Sequence, residues 1–247
     1  MTAENIPTLR ALWQEAFHDP DDFTDLFFSK GYSPDRCHHI DENGIPVSAL
    51  YWFDCQLEGR KLAYIYAVAT LKSHRGKGLG GQLLRETHEI LRSQGYAGAI
   101  LVPAGKDLFD FYRQFSYETA TTVARLSCEQ GDAPVAIREI TPEEYVHLRS
   151  VYLPEGGVVQ EGQVMVFLQG YCRFYAGADF LLIGEALPEG LRAQELLGNR
   201  EAAPGILKAL GFAKGRFHTP GEDEDFAMWL PLQADCPKPA WFGLALD

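Results

Sequence analysis

Apolar residues at helical spacing open the chain. Ile6, Leu9, Leu12, Trp13, Ala16 and Phe17 predict one helix, and after HDPDD a second stripe runs through Phe23, Leu26 and Phe27. From Cys37 the rhythm becomes that of strands. CHHI and PVSALYWFDCQL flank the turn cluster Asp41-Glu42-Asn43-Gly44, which predicts a hairpin. After a second turn at Glu58-Gly59-Arg60, residues 62–71 are apolar at nearly every position, the pattern of a central strand buried on both faces. An amphipathic helix then runs from Leu79 to Ser93, with Gly95 placed to end it. A strand at 97–104 and a short helix, KDLFDFYRQF, follow.

A polar stretch, Glu129 to Pro134, is punctuated by Gly and Pro and marks a domain boundary. Beyond it the chain starts again, with a strand at 135–139 and a helix announced by Thr141-Pro142-Glu143-Glu144, an N-cap Thr followed by Pro at the first helical position and a capping-box Glu. A short echo, FYRQFSYETATTVARL (111–126) against ILKALGFAKGRFHT (206–219), suggests two related halves. The second half has no glycine-rich loop, and is expected to be a degenerate, non-catalytic partner. The expected fold is α/β (α+β): a mixed, mostly antiparallel sheet flanked by helices in residues 1–130, then a smaller related domain in 134–247.

Chemistry concentrates where the apolar strand runs out into Arg75-Gly76-Lys77-Gly78-Leu79-Gly80 and straight into the helix. Glycines allow close backbone approach and positive φ, while the first-turn N–H groups and the positive end of the helix dipole face an incoming anion. Arg75 and Lys77 add positive charge. A Walker A loop would need GxxxxGK before Ser or Thr, which is absent. A dinucleotide fingerprint would need GxGxxG, and Gly80 and Gly81 come too soon for it.

This loop resembles the coenzyme motif of the GNAT superfamily (GCN5-related N-acetyltransferases): Arg or Gln, two variable residues, Gly, one variable residue, then Gly or Ala. The order of elements over Ile6–Ser127 is also similar to that family's. The resemblance implies that the amides of Arg75, Gly76, Lys77, Gly78, Leu79 and Gly80 bind the pyrophosphate of acetyl-CoA. It further implies that Val68, Ala69 and Thr70 pair with the pantetheine like an added strand, the acyl carbonyl lying near Ala69. Tyr112, in Phe111-Tyr112-Arg113-Gln114-Phe115, falls where the family often carries the tyrosine that protonates the coenzyme sulfur. No carboxylate occurs in 62–71, so the base that some members carry on this strand is missing. Tyr64 and Tyr66 could hold a water for proton removal, or the amine could lose its proton to bulk solvent. An acceptor pocket is expected near Trp13, Phe17, Phe27, Phe28, Trp52 and Phe53, with Asp54 or Glu58 available to an amine.

Composition narrows the partners. The formal charge of −12 over 247 residues argues against nucleic-acid binding and suits a cationic small molecule or peptide. Five cysteines without a CxxC pair point to a reducing cytoplasm. No basic leader or stretch of ~18 apolar residues is present, so neither export nor membrane insertion is expected. The paired His38-His39 lacks further ligands at zinc-like spacing, and no metal is expected. The expected activity is N-acetyltransfer from coenzyme A to a primary amine, by a monomer or homodimer. The alternatives are a non-catalytic acyl-CoA-binding sensor or an interaction module.

Overall fold

A computed structural model of the chain describes residues 6–246. Helices α1 (Ile6–Phe17) and α2 (Asp21–Leu26) are followed by a π-helical turn, Phe27–Gly31. Strands β1 (Cys37–Glu42), β2 (Ile45–Leu57) and β3 (Arg60–Thr70) form an antiparallel meander, since each reversal is a short turn with positive φ at Asn43 and Gly44 or Glu58 and Gly59. Helix α3 (Leu79–Ser93) crosses over to β4 (Gly98–Leu101), which therefore lies parallel to β3. Then come α4 (Lys106–Arg113), β5 (Glu118–Thr119) and β6 (Thr122–Glu129).

The second half continues with β7 (Ile137–Ile140), α5 (Pro142–Tyr152), β8 (Val159–Gln160) and α6 (Gln163–Leu168). The Thr141 Oγ1 accepts from the Glu144 N–H at 3.2 Å and caps α5, as its sequence requires. Strands β9 (Arg173–Gly177), β10 (Phe180–Leu187) and β11 (Gly190–Gly198), helix α7 (Ala203–Leu210), and strands β12 (Lys214–Asp225) and β13 (Met228–Pro231) complete the chain.

Two mixed sheets result, one in the order β1-β2-β3-β4-β13-β5 with β8 against β2, the other β6-β12-β11-β10-β9-β7. Both follow one plan. An antiparallel hairpin leads into a strand, a helix crosses over, and a parallel strand follows: β2-β3-α3-β4 in the first sheet and β10-β11-α7-β12 in the second. By this plan α7 corresponds to α3 rather than α4, so the echo between 111–126 and 206–219 does not align equivalent helices.

Each sheet is completed by a strand from across the 130–134 stretch. β13 inserts between β4 and β5, and β6 lies antiparallel to β12. The exchange is packed tightly at Gly98, where an added Cβ would fall 1.8 Å from Cη2 of the buried Trp229 on β13. Gly98→Ala is therefore expected to destabilise the protein by about 1–3 kcal/mol through overpacking. Denaturant unfolding measures this; an unchanged midpoint would show that β13 does not seat on β4.

The segment Trp241–Leu246 runs back through the interior, with Trp241, Phe242, Leu244, Ala245 and Leu246 all buried. Its backbone is held by Gln160, whose Nε2 donates to the Leu244 carbonyl at 2.7 Å and whose Oε1 accepts from the Leu244 N–H at 3.2 Å. Among the described residues no helix is long and apolar enough to cross a membrane. All five cysteines are free thiols.

Candidate active site

The site begins at an irregularity in β3. Tyr66 pairs with Tyr51 and Ala69 with Ala49, so Ala67 and Val68 together face the single residue Leu50. This is a bulge, and Ala67 takes the left-handed φ of 51°. Beyond it, Ser48 Oγ donates to the Ala69 carbonyl at 2.9 Å and lies 2.8 Å from Thr70 Oγ1. On its other side β3 pairs with β4 only through Leu62–Tyr64 against Gly98–Ile100. Past Tyr64 the two strands part, leaving that edge of β3 without a strand partner through Val68, Ala69 and Thr70.

The turn after β3 is braced rather than loose. The Arg75 Nε donates to the Thr70 carbonyl at 3.0 Å, and the Lys72 N–H donates to Glu15 Oε1 of α1 at 2.6 Å. His74 pairs with Glu42, and this hydrogen bond, with His74 and Lys77 nearby, lowers the Glu42 pKa below the usual carboxylate value. Gly76 and Gly78 have φ of 76° and 78°, and a Cβ on either would meet nothing within 4 Å. Gly78 is the N-cap of α3 and no side chain caps that end. The first-turn N–H groups of α3 thus have no side-chain cap and lie close in sequence to Arg75 and Lys77, both exposed. The arrangement suits a phosphate group.

A cavity of about 760 Å³ opens where β3 and β4 part. Tyr64, Tyr66, Ala67 and Val68 line one wall, and Leu108 and Tyr112 of α4 another. α4 is pressed against the start of α3, since a Cβ on Gly80 would lie 3.6 Å from Phe111 and one on Gly81 2.6 Å from Phe115. Tyr112 is thereby buried, and burial pushes its phenol up to about 12, so it is protonated at neutral pH. Its hydroxyl makes no hydrogen bond to any described residue, while its ring packs edge-on to Phe111 and Tyr117.

The expected acceptor pocket is met in part. Trp13 and Phe17 line the cavity, whereas Phe27 and Phe53 are core and Trp52 lies in the cluster on the opposite face of the sheet, donating to Tyr96 at 3.0 Å. Asp54 is engaged by Arg36 at 3.1 Å and by the Tyr96 hydroxyl, away from the cavity. His38 pairs with Glu86 at 3.0 Å and His39 with Asp41 at 2.7 Å. Among the described residues no three His, Cys, Asp or Glu side chains gather as a metal site.

Several lining groups were not singled out in the sequence. Asp19 sits at the turn between α1 and α2 and Asp22 in the first turn of α2, Asp19 accepting from Trp13 Nε1 at 2.8 Å. The acidic run HDPDD was visible as a helix break only. Tyr171, Glu185, Arg192 and Leu246 come from the second half. The Leu246 N–H donates to the Tyr64 hydroxyl at 3.0 Å, so the buried final segment fixes a residue of the cavity wall.

Comparison with known proteins agrees with this geometry. Residues 1–120 match the family model described as an acetyltransferase (GNAT) domain. No curated protein matches the chain. Among solved structures, a GCN5-related N-acetyltransferase from Anabaena variabilis superposes with a TM-score of 0.73 at 16% identity, over 94% of this chain and 71% of that one. One from Kribbella flavida gives 0.67 at 17%, over 95% and 71%. Eis1 from Mycobacterium abscessus gives 0.66 at 14%, over 94% and 72%. At such identities the likeness is one of fold, and it extends through both halves. The first 120 of the 247 residues thus match a GNAT acetyltransferase domain, and the likeness beyond them is one of fold.

Proposed function

We propose that the protein transfers an acetyl or other short acyl group from coenzyme A to a primary amine of a small molecule or peptide, by direct attack. The observation that carries this reading is a strand that parts from its neighbour, lines a cavity there through residues 64–68, and then leads into an uncapped, glycine-lined helix N-terminus. The amides from Arg75 to Gly80 would hold the pyrophosphate, in the open space over Gly76 and Gly78. The free edge at Val68, Ala69 and Thr70 would hydrogen-bond the pantetheine as an added strand. The coenzyme supplies an acyl group already activated as a thioester.

The remaining chemistry falls to the chain. Tyr112 is the proton donor: its phenol is protonated at neutral pH, faces the cavity and has no competing hydrogen bond. The attacking amine must be neutral, and β3 offers no carboxylate to deprotonate it. Its proton therefore passes to a water beside Tyr64 and Tyr66 or to bulk solvent. No cysteine is placed as a nucleophile: Cys37, Cys55, Cys172 and Cys236 are buried and Cys128 half-buried, none lines the cavity, and burial raises the pKa of each thiol. In this reading residues 1–130 are the catalytic domain and 134–247 a degenerate GNAT-like partner, working in the cytoplasm as monomer or homodimer. The missing strand carboxylate favours one second reading, a non-catalytic acyl-CoA sensor.

Titration calorimetry with acetyl-CoA tests the site. Gly78→Glu puts a carboxylate and a strained φ into open space, so the fold should survive while affinity falls by about 100-fold or more. Wild-type protein that binds no acetyl-CoA would overturn the proposal.

A further inference from the structure

The charges around the cavity point to the kind of amine it takes, an inference that rests on the acyl-transfer reading. Three carboxylates border it, Asp19, Asp22 and Glu185, against one guanidinium, Arg192. Glu185 and Arg192 sit opposite each other on β10 and β11, with Arg192 Nη2 2.5 Å from Glu185 Oε2. That leaves an excess of negative charge. The Glu185 side chain is only 19% exposed, and between it and the two aspartates the walls are aromatic: Trp13 lies 5.7 Å from Tyr66, and Phe23 5.4 Å from Tyr171.

A carboxylate that pairs with the reacting amine favours its ammonium form unless it also takes the proton as a base, and the position on β3 where some family members carry that base has no carboxylate here. Asp19, Asp22 and Glu185 lie outside β3, so a charge that does not react is the group they suit. Aromatic faces and half-buried carboxylates both stabilise organic cations. We propose that the acceptor carries a second positive charge besides the amine that is acylated, and that Glu185, from the second half of the chain, binds this second cation. The second half then determines specificity, and Arg192 holds the Glu185 carboxylate in place across the hairpin.

The test compares spermidine and 1,4-diaminobutane with butylamine, in full-length wild-type protein and in Glu185→Gln, with Glu189→Gln on the exposed β10–β11 turn as control. Wild-type protein should prefer the polycations by about ten-fold or more in kcat/KM. Glu185→Gln should lower that preference about ten-fold, mainly through KM, while acetyl-CoA affinity stays like that of the control. Calorimetry of spermidine without coenzyme should show the same loss. The proposal is overturned if butylamine is as good an acceptor as the polycations, or if Glu185→Gln weakens all three amines equally. It is also overturned if an amino acid is preferred and that preference is lost in Arg192→Gln. Protein that binds spermidine through Glu185 but not acetyl-CoA would refute acyl transfer while leaving the cation site standing.

Discussion

Tyr112→Phe is expected to lower kcat by about 100- to 1,000-fold, the usual range for removing a positioned general acid. The Kd for acetyl-CoA should change by no more than about two-fold, because the proposed binding mode uses backbone amides and the edge of β3 rather than this hydroxyl. Stability should hardly change either. The hydroxyl makes no hydrogen bond to a described residue, so its loss leaves no orphaned partner, and the ring contacts with Phe111 and Tyr117 survive. The pH profile adds a second readout. With burial holding the phenol near 12, Tyr112 stays protonated across the neutral range, so kcat/KM should rise with pH as the acceptor amine deprotonates, without a falling limb below about pH 11. Measured turnover that survives the substitution would make Tyr112 a packing residue. No turnover in the wild type with intact coenzyme binding would favour the sensor.

Glu195→Ala is expected to cost about 3–5 kcal/mol of stability, a large fraction of the ~5–15 kcal/mol of an ordinary protein. Glu195 and Arg149 are both fully or nearly fully buried, and their side chains meet through two hydrogen bonds: Nε to Oε2 at 2.6 Å and Nη2 to Oε1 at 2.8 Å. The Tyr145 hydroxyl and Trp241 Nε1 donate to the same carboxylate, each at 2.9 Å, and Arg149 Nη1 donates to the Val158 carbonyl at 2.9 Å. Removing the carboxylate strands a buried guanidinium and two donors at once. The double variant Arg149→Met with Glu195→Leu should be closer to wild type than Glu195→Ala, because no charge is then left unpaired. Urea unfolding of the three proteins measures this.

The sign of its pH dependence follows from Arg149. Burial alone would lower that pKa, but the Glu195 charge and hydrogen bonds outweigh it and raise it. The Arg149 contribution is therefore fully present through the neutral range and is lost in strong alkali, as pH rises through its folded-state value. Since Trp241 begins the segment that ends at the Tyr64 hydroxyl, a milder variant, Trp241→Phe, should also loosen the cavity wall. An amine KM raised in step with its lower melting temperature would show that link.

Much of the local structure was legible because its signals are local. The α1 stripe, the hairpin turns, α3 with Gly95 behind it and the Thr141 cap all appear where the sequence places them. Helical periodicity and positive φ are properties of a few consecutive residues, and they decide the same way whatever the rest of the chain does. Boundaries shifted where pairing decides them: the predicted strand at 97–104 shortens to Gly98–Leu101, because β4 must leave β3 to open the cavity.

By itself the sequence determined the glycine-rich loop at 75–80, the amphipathic helix it enters, the placement of Tyr112 on the short helix after β4, and the acidic balance of the chain. Only the tertiary structure decided that β13 completes the first sheet and β6 the second, that Trp52 and Asp54 do not line the cavity, and that Tyr171, Glu185 and Leu246 border it. The physical reason is that backbone hydrogen bonds are the same for every strand. A strand's own residues show which of its faces is apolar; which neighbour it joins depends on the packing of the whole chain.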